Sequence, residues 1–450
     1  MPKPPETMPD AMSETMSETK SETKSETMSE TTQDTALGER LATRIRTAGP
    51  MGVDSFMAAC LGDASDGYYQ HNDPFGVAGD FITAPEISGL FGEMCGLYLA
   101  HMFELAGQPG DAVIAELGPG RGTLMRDMRS VWQTLMPALA SRPVHLVETS
   151  PTLRRAQAAV IAADGTAPNA PGAPEIKWHD DVASLPEVPL FGIANEFFDA
   201  LAVAQCVWRG NAADGGWHHR LVGLRGDDFS FVNGPALSTA ELADYAATLP
   251  PEPADGDIAE ICAAGDQVIA ALARRISRHG GAMLIVDYGR NGNAGDSLQA
   301  VADHRPVDVF HQPGTADLSH WVDFAALSRS AAAHGCRLIG PVPQGRFLMR
   351  IGLAQRAEQA GLHGETEERR SLLAAVDRLT SPAQMGEVFK VALLVPQGTG
   401  MPPGFESEAA SPVMKESRAE SGPESGPESG PESGIGSHEG PGGNRGNGGA

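Results

Sequence analysis

The chain has 450 residues, 33 Lys and Arg against 58 Asp and Glu, a formal net charge of −25 and a hydrophobic fraction of 41%. That length and apolar content allow two or three average domains around a sizeable core. The charge argues against a nucleic-acid-binding protein, which needs clustered cations, and suits a basic partner. No apolar run approaches the roughly 18 residues of a membrane-spanning helix.

Residues 12–31 repeat a Ser-Glu-Thr tetrad, and residues 420–434 repeat Glu-Ser-Gly-Pro. Such segments bury too little to offset their ordering entropy, so 1–35 and 397–450 are expected to be disordered tails around a folded core at 36–396. Each tail carries 3 basic and 8 acidic residues, which leaves 15 of the 25 net negative charges in the core. The N-terminus has no apolar signal region and is acidic and poor in arginine, unlike a transit peptide. The expectation is a bacterial, cytoplasmic protein. Five scattered cysteines without a Cys-x-x-Cys pair propose neither a disulfide framework nor a metal site.

In chain order, Leu37, Leu41, Ile45 and Ala48 predict a helix stopped by Gly49-Pro50. A Gly- and Asp-rich loop follows, and Thr83 to Glu86 has the form of a capping box opening a helix through Ile87, Leu90, Phe91, Met94, Leu97 and Tyr98. Apolar runs at AVIAEL, PVHLVE, IKW, LFGIAN, AMLIVDYG and EVFKVALLVP, separated by helical patterns, predict a parallel sheet covered on both faces. This is a doubly wound, Rossmann-like α/β fold. The interval of some 80 residues before AMLIVDYG predicts an insertion at about 202–280 over the carboxyl edge of the sheet. AQCVWRG and WHHRLVGLRGDDFSFV suggest antiparallel strands there, with His218 and His219 exposed, and Ile258 to Arg278 reads as helix.

The first strand ends in Glu116-Leu-Gly118-Pro-Gly120-Arg-Gly122 and runs into a helix. Glycines at that place let a ligand approach the backbone at a helix N-terminus. A dinucleotide fingerprint would place its third glycine at 123, which is Thr123. The observed spacing is that of class I S-adenosylmethionine-dependent methyltransferases. Glu148, one βα unit later, is placed to accept hydrogen bonds from ribose hydroxyls, with a helix-cap role as the alternative. After the next strand, Asp180 or Asp181 could hold an adenine amino group, or belong to a solvated loop.

FGVAGDFITAPEIS, ELGPGRGTLMRDMR, VETSPTLRRAQ, ANEFFDAL, VDYG, GDSLQAV and PGTADLSHWVDF follow one another along the core. Together they resemble the MidA-type family of S-adenosylmethionine-dependent methyltransferases, which includes the mitochondrial arginine methyltransferase that assists assembly of respiratory complex I. One departure is Ala202, where the family usually has Pro. The resemblance implies a class I methyltransferase sheet with a substrate-side insertion and an N-terminal helical and loop cap. It implies S-adenosyl-L-methionine as cofactor, and symmetric dimethylation of arginine in a protein substrate, a subunit of NADH:quinone oxidoreductase (complex I). The candidate cofactor set is Glu116, Gly118, Gly120, Gly122, Thr123, Glu148, Asp180 or Asp181, and Thr83 with Pro85. The segment Gly79 to Thr83 is expected as a lid.

A guanidinium stays protonated, so its transfer chemistry needs carboxylates to orient it and accept a proton. Asn195, Glu196 and Asp199, beside two aromatics, are the candidate catalytic residues, with capping and structural roles as the alternative. Asp287, Asp296, His304, Asp317 and Asp323 are candidates to line the substrate groove. An assembly chaperone that retains the cofactor without turnover, and a small-molecule methyltransferase, are the rival readings.

Overall fold

Strands that are apolar along their whole length build the main sheet of the computed structural model, which describes residues 35–71, 83–162, 175–210, 215–293, 295–362 and 366–406. The tails through residue 34 and beyond residue 406, and the expected lid residues Gly79 to Ile82, lie outside the described residues. In chain order the strands are β1 (Val113–Leu117), β2 (Val144–Val147), β3 (Ile176–His179), β4 (Leu190–Asn195), β5 (Gly281–Arg290), β6 (Cys336–Pro343) and β7 (Phe389–Pro396). Across the sheet they run β3-β2-β1-β4-β5-β7-β6, and the short strand Val322–Asp323 adds to the end of β5. The first five are parallel, whereas β7 is antiparallel to both its neighbours.

Every residue of β1 and β4 is buried, as a sheet covered on both faces requires. On one face the helices Gly89–Leu105 and Thr123–Leu135 touch through glycine. A Cβ on Gly96 would stand 2.9 Å from Met128 Cα, and Trp132 donates its indole N–H to the Gly96 carbonyl at 2.7 Å. The other face is covered by the helices Ala263–His279 and Phe324–Ala333, whose Leu272, Ile276 and Phe324 pack with Ile285 of β5. Strand order reverses between β1 and β4. Their carboxyl ends therefore flank the crevice in which ligands bind in open α/β sheets.

A second, five-stranded antiparallel sheet joins Met51–Gly52, Ala204–Arg209, Gly216–Arg225, Asp228–Ala236 and Ile258–Ile261. The expected antiparallel strands are there, but three expectations are corrected. Ile258 to Ile261 is a strand paired with Ala204 to Val207, and helix begins only at Ala263, because pairing with that distant strand completes the small sheet. That helix packs under the main sheet, so the part outside the doubly wound framework is shorter than 202–280. His218 is buried, because its strand is the middle one, with Val207 and Ala236 opposite on either side.

The expected helix at the N-terminal end of the core runs from Ala36 to Ala48, capped by the Thr35 hydroxyl. The capping box at Thr83 does not form: the Thr83 side chain makes no cap bond. The four-residue helix Ala84–Ile87 ends at Ser88, whose hydroxyl caps the Gly89 helix instead. At the other end the ordered core extends past 396. Phe405 is buried against Tyr98 and Phe347, and the Tyr98 hydroxyl donates to the Pro403 carbonyl at 3.2 Å. Phe405 anchors it together with hydrogen bonds from Tyr98 and Arg350 to the carbonyls of Pro403, Gly404 and Glu406.

Candidate active site

The glycine turn is built by backbone conformation. Gly118, Gly120 and Gly122 have φ of 59°, 51° and 87°, in the left-handed region that disfavours a side chain. Two of them are also pressed from behind: a Cβ on Gly118 would meet the Phe197 ring at 3.0 Å, and one on Gly122 would meet Gln157 Cα at 3.2 Å. The helix Thr123–Leu135 starts directly after the turn and presents its N-terminus there.

A cleft of about 400 Å³ opens at this point. Its walls include Gly118, Gly120 and Thr123 from the turn, Glu116 from β1, Asn195 and Glu196 from the end of β4, and Thr83 and Pro85 from the preceding segment. Most of the residues proposed from the sequence for cofactor and catalysis thus meet in one place. The segment Ala84–Ile87 is tied down at two points: Glu86 accepts from the Thr123 hydroxyl at 2.8 Å, and Ala84 N–H donates to Glu196 Oε1 at 3.3 Å.

Among the described residues, two buried oxygens at the cleft have no hydrogen-bond partner, Glu116 Oε2 and Asn195 Oδ1. Leaving such atoms unmet costs about 1–3 kcal/mol each, so they are acceptors awaiting a donor. Burial also pushes the Glu116 carboxyl up to about 8, a position that a nearby cation would reverse. S-adenosylmethionine carries an ammonium group and no pyrophosphate. Orphaned acceptors beside a glycine cradle fit it.

Glu148 stands outside the cleft's walls, linked to the turn through Gln157. Its Oε1 accepts from Ser150 N–H at 2.7 Å and its Oε2 from Gln157 Nε2 at 3.1 Å. Burial nevertheless raises its pKa. The two aspartates that follow β3 are turned to other work. Asp180 is exposed and ion-paired with Arg154 at 2.6 Å, and Asp181 caps a short helical turn through Ser184 N–H. Neither is among the residues that wall the cleft.

The acids of the Asn195-Glu196-Phe197-Phe198-Asp199 turn form a cluster with Asp287 of β5. Glu196 is held at φ 50°, unfavourable for a residue with a Cβ. Asn195 Nδ2 donates to its Oε1 at 3.1 Å. Burial, and secondarily the Asp199 charge, raises Glu196 to about 7; burial raises Asp199 to about 6. Asp287 is fully buried and pushed well above the carboxylate range by burial and by Asp199, although it accepts from the N–H groups of Phe197, Phe198 and Tyr288. At the margin, the Tyr69 hydroxyl donates to Asp317 at 2.8 Å, and Tyr69 is raised chiefly by burial and then by Asp317 and Asp199.

The remaining groove candidates are engaged elsewhere. Asp323 caps the Phe324 helix, Asp296 pairs with Arg220 at 2.8 Å, and His304 sits in the turn between the strands Gln299–Ala302 and Arg305–Val307. Sequence reasoning passed over Gln157, which is completely buried between the turn and Glu148. Its signal was an amide on the Leu153, Gln157, Ile161 stripe, a polar residue at apolar spacing.

The strand order, the glycine cradle and the acceptors facing it define a class I methyltransferase. A family model described as S-adenosyl-L-methionine-dependent methyltransferases matches residues 94–342, more than half of the chain. The chain belongs to this family, the MidA-type methyltransferases, and its cofactor is S-adenosyl-L-methionine. Among similar curated proteins, the mitochondrial protein arginine methyltransferase NDUFAF7 homolog of Drosophila melanogaster is 34% identical over 374 residues, covering 79% of this chain and 84% of that one. Human mitochondrial protein arginine methyltransferase NDUFAF7 is 33% identical over 375 residues, covering 79% and 82%. A superfamily member from Burkholderia thailandensis, crystallised with S-adenosylhomocysteine, superimposes with a TM-score of 0.68 at 25% identity, covering 83% of this chain and 93% of that one. These relatives correct one expectation: the curated ones are mitochondrial proteins, so the bacterial, cytoplasmic assignment drawn from the acidic N-terminus does not stand. Among the described residues no helix is long and apolar enough to cross a membrane.

Proposed function

We propose that this methyltransferase acts on the guanidinium nitrogens of an arginine in a protein, adding two methyls symmetrically, and that its substrate is a subunit of respiratory complex I. The observation that carries the guanidinium part of this reading is the cluster of Glu196, Asp199 and Asp287 beside the cleft. The names of the similar curated proteins, protein arginine methyltransferases, support it.

When bound, S-adenosylmethionine supplies an electrophilic methyl on a sulfonium. The chain's own residues have the other tasks. Glu116 and Asn195 Oδ1 receive donors of the cofactor, while Glu148 takes its hydroxyls. Glu196 and Asp199 draw the guanidinium charge toward two of its nitrogens and leave the third free to attack. The raised carboxyls near 6 and 7 fall as the guanidinium enters. Once methylation makes that nitrogen give up its proton, a carboxylate that the entering guanidinium has ionised accepts it. Phe197 and Phe198 keep water from the acids. The acidic core suits a basic polypeptide.

The test is to incubate purified protein with tritiated S-adenosylmethionine and a lysate of cells lacking it, then identify the labelled protein by mass spectrometry. A complex I subunit carrying symmetric dimethylarginine is the expected result. Label on a small molecule would overturn the protein-substrate reading, and label on lysine or a carboxylate would overturn the arginine reading. Cofactor binding without any transfer, including to newly made subunits, would favour an assembly chaperone.

A further inference from the structure

We propose that Gln157 is a positioning residue for the cofactor, one amide that locks the glycine turn, Glu148 and β3 into a single binding surface. The inference rests on the reading of Glu148 as the acceptor for the cofactor's hydroxyls.

The Gln157 side chain is wholly buried, so each of its polar atoms needs a partner. Its Oε1 accepts from Trp178 Nε1 at 2.8 Å. An indole N–H can only donate, which fixes which end of the amide is oxygen. Both N–H bonds of Nε2 are then assigned, one to the Gly120 carbonyl at 2.8 Å and one to Glu148 Oε2 at 3.1 Å. The three partners follow β1, follow β2 and lie on β3, elements that the backbone alone joins only through the sheet. Gly122 rests on Gln157 Cα, so the helix that carries Gln157 also sets the depth of the turn.

This bond pattern has a chemical consequence. The Gly120 carbonyl is directed backward into the protein and away from the cleft. Glu148 has one oxygen held by Ser150 N–H and the other by Gln157, with a further backbone hydrogen bond from Thr149, so its plane is set. A carboxylate fixed in this way loses little freedom when it accepts a pair of hydroxyls. Gln157 touches no cofactor atom in this scheme.

The test is calorimetric titration of S-adenosylhomocysteine into the full chain and into Gln157→Met, Trp178→Phe, the double variant and Glu148→Ala, with thermal melting of each. Gln157→Met keeps the volume and removes the bonds, and is expected to weaken binding about tenfold to a hundredfold. Trp178→Phe leaves the amide free to rotate and is expected to weaken binding about threefold to tenfold. The double variant is expected to bind no worse than Gln157→Met alone, a non-additivity in affinity that loss of packing would not produce. Affinity of Gln157→Met within about twofold of the parent, or effects of the two substitutions that multiply, would overturn the proposal. Should Gln157→Met fail to fold, Trp178→Phe decides: unchanged affinity sinks the idea. If Glu148→Ala binds like the parent, the Glu148 reading fails first; if only Glu148→Ala weakens binding, Glu148 stands and the positioning role alone falls.

Discussion

Ala84 donates its backbone N–H to Glu196 across the cleft at 3.3 Å, joining the segment before the sheet to the acid at the end of β4. Two residues later the same segment accepts the Thr123 hydroxyl through Glu86. Cofactor helix and catalytic candidate are thereby held by one short piece of chain. Glu196→Gln keeps an acceptor for Ala84 and removes the charge. S-adenosylhomocysteine affinity should stay within about threefold while methyl transfer falls about 10²- to 10⁴-fold. A fully active variant in the tritium assay would end the assignment of Glu196.

The glycine turn makes a separate prediction. Gly120 lies at φ 51°, where a β-branched residue is strained by roughly 1–2 kcal/mol and would project a branched side chain into the cleft. Gly120→Val should remain folded by circular dichroism and show no S-adenosylhomocysteine heat in calorimetry. Unchanged affinity would place the cofactor elsewhere.

Burial raises Glu116 from the ordinary 4.5 to about 8. The folded, cofactor-free protein therefore holds a proton that the unfolded chain releases at lower pH. Its contribution to stability is complete below about 4.5 and is lost as the pH rises toward 8. An ammonium beside this carboxyl favours the ionised form, so binding S-adenosylhomocysteine near pH 7 should release protons. Calorimetry in buffers of different ionisation enthalpy should reveal that release in the parent and its loss in Glu116→Gln.

Phe405 tests where the folded core stops. It is buried against Tyr98 and Phe347, and removing its ring should leave a cavity that costs about 3 kcal/mol. Phe405→Ala, and truncation after residue 396, should lower the melting temperature, whereas truncation after residue 406 should not. Equal melting of both truncations would return the boundary to 396.

The parallel sheet was legible because its strands are apolar throughout, and the glycine turn because its spacing separates two cofactor classes at Thr123. Local signals misled where a tertiary partner outcompeted them. Thr83 and Glu86 read as a capping box, but Glu86 found Thr123 and Ser88 supplied the cap. Ile258 to Ile261 read as helix, since nothing local announces that a strand 50 residues earlier awaits a neighbour. Asp180 and Asp181 were chosen by position in the chain, while Arg154 and Ser184, unseen in that pattern, take their side chains. Gln157 escaped because a single glutamine within a helix carries no motif.

The left-handed backbone at Glu196 bears on how such a protein can change over time. Glycine there would relieve the conformation and remove a buried acid, but would leave the Ala84 N–H and Asn195 Nδ2 without their acceptor, so Glu196→Gly should lose transfer while melting close to the parent. Drift at this position therefore meets little resistance from stability. Only continued selection for the reaction keeps the less comfortable residue in place.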